Sequence, residues 1–521
     1  MANKKFTSRQ ILRLAGVGVA LVGLSFLLAW FSNGYQSVIG WYNFLLTEVA
    51  ALVIAWAGYV LLRQEEIPGW LIWLVLGAIV LRLAVGVFWV AALPVWGYPN
   101  EVQQAGYVMF DPFLRDNHAW ELAQSGESLF SAFRGYSSHD QYGGLLFLSA
   151  LLYRYIGGEV HRQLLVIVLT STASGMAVLF TWGFIRRFWE DKAARLAAWG
   201  LALYPEAVLL GSSQMRGAFT IPLGAALAYL MLRYSQERKR KDLLLMALLT
   251  LLTAAITWAY LLQLIVVLGL LLVGLLIKDR RWKRLPTWLS IGLGILVSVV
   301  VLAGGYLWST LTAMSNFQRH LTENASGVVQ AVLGRLPDFL QIPFVVGYGV
   351  VRPLLPPAIT ESGASELWRW VAIWRAVGWT VLLTLLIYAT LTVIRKRQFL
   401  KPAGMLMWGS WLMILVASFR AGGDIWDNPR YRVGFVVFQL ALAVWSVVQH
   451  QTDRDPILRR VVVMVLALEG WIFVWYAARF YTVPWWVYRV ENKIFYGLLT
   501  GGGYWLLDWL WVWSAKKRRV S

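Results

Sequence analysis

Cysteine is absent from this 521-residue chain, so disulfides, thiolate metal sites and cysteine nucleophiles are excluded. Charge is scarce as well. Only 14% of residues are charged, while 59% are hydrophobic and 31 are tryptophan, and no single soluble core could hide that much apolar surface. Histidine numbers five, and none has a partner at His-x-x-x-His spacing, which argues against a catalytic zinc site. There is no Walker A loop, dinucleotide fingerprint or Gly-x-Ser-x-Gly elbow, so chemistry driven by cytoplasmic ATP is not expected. Internal repeats, low-complexity tracts and appended soluble domains are also missing. The first apolar run, Ile11 to Trp30, is too long for a signal h-region and has no small-residue cleavage site after it, so the N-terminus is expected to stay attached.

What is abundant is apolar sequence in runs of roughly 20 residues, the length that crosses a bilayer. These runs recur from Ile11 to Trp513 with short polar breaks. The net charge of +20 would suggest nucleic acid in a soluble protein, but its placement gives another reason. Basic clusters such as Arg186, Arg187, Lys192 and Arg195, or Arg238 to Lys241, or Lys516 to Arg519, occupy every second gap between apolar runs and hold most of the 47 basic residues. That is the positive-inside pattern, and it fixes orientation without requiring nucleic acid.

With these clusters cytoplasmic, the expected architecture is an all-α polytopic membrane protein of about fourteen spans (range 12–14), both termini cytoplasmic, in a plasma membrane, bacterial by expectation. Spans are expected at 10–32, 37–63, 68–97, 161–186, 193–211, 216–234, 242–257, 258–277, 286–309, 368–394, 402–420, 431–450, 460–482 and 495–513. The run 242–277 is split near Thr257 because it is too long for one span and basic at both ends. Residues 143–156 are too short for a span and are read as a helix at the outer interface. The chain reads as one membrane domain with two extra spans in 1–66, a core over 67–450 and C-terminal spans in 451–521.

Four segments then lie outside: 98–160, the break from Tyr204 to Arg216, 310–367 and 420–430. The first contains FDPFLRDNHAWELAQSG, with Asp111, Asp116 and His118 ahead of a helix-like stretch. A carboxylate there can serve as a general base toward an acceptor hydroxyl or amine, or help hold a divalent cation; equally, the two acids can be solvated loop residues or helix caps. SSHDQYGG supplies His139, Asp140 and Gln141, with Asp140 a possible N-cap and the glycines a turn. At the second break, Glu206 and the pair Gln214 and Arg216 sit at the mouth between spans, although Arg216 could equally snorkel. The densest polar cluster is FRAGGDIWDNPRYRVGF, with Arg420, Asp424, Asp427, Asn428, Arg430 and Arg432. Guanidinium groups at this depth suit a lipid phosphate, which they bind through paired donors; an Arg/Asp turn that only anchors the helix is the alternative.

Taken together, Asp116, Trp120, Ala123 and Gly126, then LLYRYIGG, a span ending in RRFW, AARLAAWGLALYP and the late RYR resemble the membrane-embedded glycosyltransferases of the C superfold, the group that includes protein O-mannosyltransferases and the lipid A aminoarabinose transferases. The resemblance covers roughly residues 70–450. It implies a sugar donor on a polyprenyl-phosphate carrier, outer-leaflet chemistry and inversion at the sugar. It further implies a catalytic acid, with Asp111, Asp116 and Asp140 the candidates, and a donor phosphate held by Arg430 or Arg432 with Arg216. The family often has Asp-Glu at the first acidic position, whereas Pro112 follows Asp111 here, so Asp111 and Asp116 both stay open as its counterpart.

A lipid-linked-sugar flippase or other transporter, and a surface-polysaccharide ligase or polymerase, are the competing functions. Transport favours charges buried along the spans. Here the acids fall almost entirely in outer loops, with Arg82 and Glu469 the notable mid-span charges.

Overall fold

The computed structural model describes residues 8–134, 141–278, 332–360, 365–424, 426–480 and 490–520. Among them there are helices and turns and no strand, as expected of chains whose backbone groups must be satisfied locally in lipid. Eight helices are long and apolar enough to cross a membrane, or up to ten if each of two bent pairs counts as one span. The protein is therefore an all-α multi-pass membrane protein. The span expected at 286–309 lies outside the described residues, as do residues 310–331 and 361–364 of the expected outer segment 310–367. Two compact units divide the chain: residues 1–190 with 198–262, and residues 191–197 with 263–521.

In the first unit, α1 (Ser8–Ser32), α2 (Trp41–Leu62) and α3 (Gly69–Trp96) precede the short α4 (Glu101–Gln104), α5 (Phe110–Gln124) and α6 (Gly144–Leu152), and α7 (Leu164–Phe188) follows. Between Asp191 and Lys278 come α8 (Asp191–Leu203), α9 (Pro205–Gly211), α10 (Gly217–Glu237) and α11 (Arg240–Lys278). Helix α7 is the axle, with 94% of its span enclosed by protein. Small residues let neighbours approach it: a Cβ on Gly175 would lie 2.3 Å from the Ile79 side chain of α3, the close backbone packing that holds membrane helices together without a hydrophobic drive. Helix α10, expected as a span, is not among the eight by length and composition, and it lies almost wholly buried along α7.

One expectation about these spans changes and another is met. Residues 193–211 are not one helix: the chain breaks at Tyr204, which is extended as a residue before proline must be, and α8 and α9 meet at 55°. The carbonyls freed at that break are covered by Arg82 of α3, which is fully buried and donates to Leu201 O at 3.2 Å, Ala202 O at 3.3 Å, Ala78 O at 3.0 Å and Ser174 Oγ at 2.9 Å. Its guanidinium is thus committed to structure. The division near Thr257 is seen as a kink, with Thr257 at φ −168° and ψ 99° inside α11.

The second unit contains α12 (Asp338–Val351), α13 (Leu355–Thr360), α14 (Glu366–Arg395), α15 (Pro402–Ala421), the short α16 (Asp427–Val433), α17 (Val436–Asp453), α18 (Ile457–Phe480) and α19 (Val490–Val520). Helices α16 and α17 bend by 71°. The C-terminal end of α14 is pinned by Arg395 to Asp455 at 2.7 Å, with the Tyr388 hydroxyl donating to the same carboxylate at 3.0 Å.

Candidate functional site

Helix α5 starts at Phe110, so Asp111, Asp116 and His118 lie within it and not ahead of it. Asp111 is an exposed acid in the first turn, where the helix dipole favours negative charge. Five residues on, Asp116 has turned to the opposite side and is 0% exposed. A carboxylate taken out of water needs donors to replace it. Asp116 has three: Tyr107 Oη at 2.6 Å, Tyr153 Oη at 2.8 and 2.9 Å, and His161 Nε2 at 3.0 Å. No guanidinium or ammonium pairs with it among the described residues. It is therefore no solvated loop acid.

The three donors come from separate segments, and the local sequence explains how each arrives. Tyr107 follows Gly106, whose φ of +81° favours glycine, in the turn before α5. Tyr153 opens a π-turn, 153–157, after α6, a distortion common at functional positions. Helix α6 begins with Gly143 at φ +76° and Gly144, where a Cβ would meet the Ala255 carbonyl oxygen at 2.2 Å. The glycines of QYGG thus form the expected turn, with Gly143 at the N-cap of the helix. Next in the π-turn, Arg154 caps the C-terminus of α5, donating to Ala123 O at 3.2 Å, Ser125 O at 2.8 Å and Glu127 O at 2.7 Å, which fills the acceptor vacancies every helix end leaves. His161 stands three residues before α7. Its ring stacks on Trp120, centroids 5.3 Å apart and planes 14° apart, and meets Tyr153 edge-on at 5.1 Å. Trp120 sits one turn beyond Asp116, so the two share a helix face.

Burial, reinforced by the charge of Asp116, holds both the Tyr107 and Tyr153 hydroxyls well above the ordinary phenol value of 10.0. Both therefore stay protonated and remain donors. Beside them, Trp89, Tyr107, Pro112, Gln163, Ser212 and Gln214 line a cleft of about 10 Å³, room for roughly one water. Its wall is tied by the Trp89 indole to Ser212 Oγ at 3.0 Å, by the Gln214 amide to Gln163 O at 3.3 Å, and by Arg115 to the Gln214 carbonyl.

The other expected residues of this unit fall into place unevenly. Gln214 borders the cleft. Arg216 lies over the Tyr142 ring at 4.6 Å. Glu206 is buried at 2% in the first turn of α9 and not at an open mouth. His118 pairs with Glu121 at 3.0 Å. His139 and Asp140 lie outside the described residues. Glu48 of α2 is a mid-span acid overlooked in the sequence: 3% exposed, with Ser25 of α1 beside it. No group of three His, Asp or Glu side chains suited to a metal ion occurs among the described residues.

In the second unit the Arg/Asp segment builds its own cluster. Asp424 Oδ1 accepts from the backbone N–H groups of Trp426 at 2.6 Å and Asp427 at 2.7 Å, bracing the turn into α16. Arg430 pairs with Asp427 at 2.9 Å, so the internally braced turn is real for that residue. Arg420 lies over Tyr431 at 4.0 Å. Arg432, 1% exposed, lies over Trp379 at 3.3 Å, and Arg375, 3% exposed, over Trp426 at 4.3 Å. Arg375 and Trp379 are one turn apart on α14 and present one face. Arg352 donates to the Gly423 carbonyl. A Cβ on Gly349 of α12 would lie 2.7 Å from the Gly422 Cα, which is why two glycines meet there. Five guanidiniums against the two carboxylates Asp424 and Asp427, set on aromatic faces, give a positive, partly dry site suited to an anion. Sequence reading missed Tyr107, Tyr153 and His161 in one unit, and Arg352, Arg375 and Trp379 in the other.

No protein-family model matches this chain, and no curated protein matches it.

Proposed function

We propose that this protein is a membrane glycosyltransferase that moves a sugar from a polyprenyl-phosphate carrier to an acceptor at the outer face of the membrane, with inversion. The observation that carries this reading is the setting of Asp116. It is the acid of the Asp116, Trp120, Ala123, Gly126 pattern on which the resemblance rests. Of the two acids left open, it is the one placed in a built site, with Trp120 packed on its histidine partner and Arg154 of LLYRYIGG locking the helix that presents it. In this reading the Asp116 site draws the proton from the acceptor, and the role that the resemblance gives Arg430 and Arg432 is to hold the carrier phosphate as it gains charge. The acceptor oxygen bonds to the anomeric carbon as the sugar–phosphate bond breaks, its electron pair leaving with the phosphate.

The test is release of polyprenyl phosphate from a panel of synthetic polyprenyl-phosphate sugars added to membranes containing the protein. Release that depends on the protein supports the reading; its absence for every sugar refutes it. Glu48 favours a second reading, transport of the lipid-linked sugar, because a carboxylate buried at membrane depth marks ion-coupled pathways. Movement of a labelled lipid-linked sugar across proteoliposomes, lost in Glu48→Gln, would select it.

A further inference from the structure

We infer that the atom that takes the acceptor's proton is Nδ1 of His161, and that Asp116 is the positioning residue behind it. This rests on the transferase reading and refines which group meets the substrate. A general base must come within about 2.6–3.2 Å of the proton it removes. Asp116 is not placed to do so. It has no exposed surface, and both its oxygens are engaged: Oδ1 by Tyr153, and Oδ2 by Tyr107, Tyr153 and His161. His161 is the member of the cage that reaches the surface, its side chain 26% exposed against 0% for Asp116.

The hydrogen bond sets the tautomer. An ionised carboxylate only accepts, so Nε2 carries the hydrogen and Nδ1 keeps a lone pair. Nδ1 has no hydrogen-bond partner among the described residues. Stacking on Trp120 and the edge of Tyr153 fixes the plane of the ring. This is the logic of a buried acid orienting an imidazole, assembled from two segments 45 residues apart. In the step itself, the acceptor O–H proton passes to Nδ1 as the oxygen bonds to the anomeric carbon and the sugar–phosphate bond breaks toward the phosphate. The imidazolium then faces the Asp116 carboxylate, and its Nδ1 proton leaves to water. Tyr107 and Tyr153 keep their protons and go on donating to the Asp116 oxygens throughout. Two charged residues neighbour His161 along the chain: Arg162, which donates to Ile39 O in the loop before α2, and the exposed Glu159.

Two measurements test this. In protein labelled with ¹⁵N-histidine and held in nanodiscs, the His161 imidazole shifts should report the Nε2–H tautomer near neutral pH, and Asp116→Asn should abolish that preference. A Nδ1–H tautomer in the wild type overturns the assignment. In the polyprenyl-phosphate release assay, His161→Gln should lower kcat by about 10²- to 10⁴-fold with KM little changed, and added imidazole should restore part of the rate to His161→Ala. Full activity in His161→Gln, or loss in folded His161→Ala that imidazole never restores, overturns it. Absence of release by the wild type overturns the donor reading and the proton-accepting role with it, an outcome distinct from release that His161→Gln retains.

Discussion

Asp116 and Asp242 are both completely buried in the same unit, yet they are held in opposite ways. Asp242 receives a forked ion pair from Arg233, Nε at 3.0 Å and the terminal nitrogen at 2.5 Å. Around it, Arg187 bonds Glu65 at 2.6 Å and Glu237 at 2.6 Å, and Tyr229 donates to Glu65 at 2.7 Å. Every charge in that network meets its opposite, so a proton has no reason to move. Asp116 has no such counter-ion among the described residues, only two phenols and one imidazole. Hydrogen bonds from neutral donors satisfy its oxygens without cancelling a charge there, and one of those donors is itself a base. The first arrangement ties helices together; the second leaves a charge able to act on something else.

Breaking the ion pair should have the largest effect on folding. Arg233→Met leaves Asp242 buried without its partner, which costs about 3–5 kcal/mol. A matching fall in thermal stability in detergent, with release of polyprenyl phosphate by the protein that remains folded unchanged per molecule, is expected. Asp116→Asn reverses the pattern: the amide keeps the volume and can still accept from the phenols, so stability changes modestly while transfer falls by about 10²-fold or more. If Asp116→Asn melted the protein like Arg233→Met and left turnover per folded molecule intact, Asp116 would be a brace and the contrast would collapse.

The second unit offers a further comparison. Arg395 meets Asp455 in an ordinary ion pair, and Arg432 lies on the face of Trp379. Arg432→Lys keeps the charge and loses the planar fork, so binding of polyprenyl phosphate should weaken by roughly ten- to a hundredfold, equivalent to about 1.5–3 kcal/mol. Arg430→Lys tests the braced arginine beside it. Normal lipid binding with a lowered melting temperature in both variants would mean that the cluster anchors a turn and holds no phosphate.

How much of this was readable follows from distance along the chain. Apolar runs and basic gaps act locally, so the membrane class, the kink at Thr257 and the glycine turn of QYGG could be read directly. Asp116 was among the candidates because an acid beside Trp120 and Ala123 forms a short pattern. Its partners were not, since Tyr107, Tyr153 and His161 are joined to it only when three segments converge, and a lone histidine before a span has no spacing to announce it. Arg375 and Trp379 were hidden inside an apolar helix, where their shared face shows only once α16 packs on it. The bend at Tyr204 had a visible cause in Pro205, but a long apolar run outweighed it.

A smaller effect concerns the phenols. A tyrosine whose folded-state pKa is raised contributes stability that is fully present below about 10, the ordinary value, and is lost as pH rises through the folded value. Replacing both Tyr107 and Tyr153 by Phe should therefore make the decline of stability above pH 10 shallower than in the wild type, at a cost near neutral pH of about 1–3 kcal/mol for each donor withdrawn from a buried carboxylate. An unchanged alkaline slope would show that these hydroxyls do not guard Asp116.

The smallest expected change decides between the two acids. Asp111 is exposed in the first turn of α5, and its charge there complements the helix N-terminus. Asp111→Asn removes that charge at an exposed position with little change of volume, so stability should move by about 0.5 kcal/mol, the usual range for a surface substitution. Transfer should remain within about twofold of wild type, because the proton path proposed here runs through the buried site and not along the exposed turn. Measuring release of polyprenyl phosphate and melting temperature on Asp111→Asn and Asp116→Asn side by side gives the comparison directly. If Asp111→Asn lost activity as deeply as Asp116→Asn is expected to, the exposed acid would be the base, and burial behind His161 would have to be explained as structure alone.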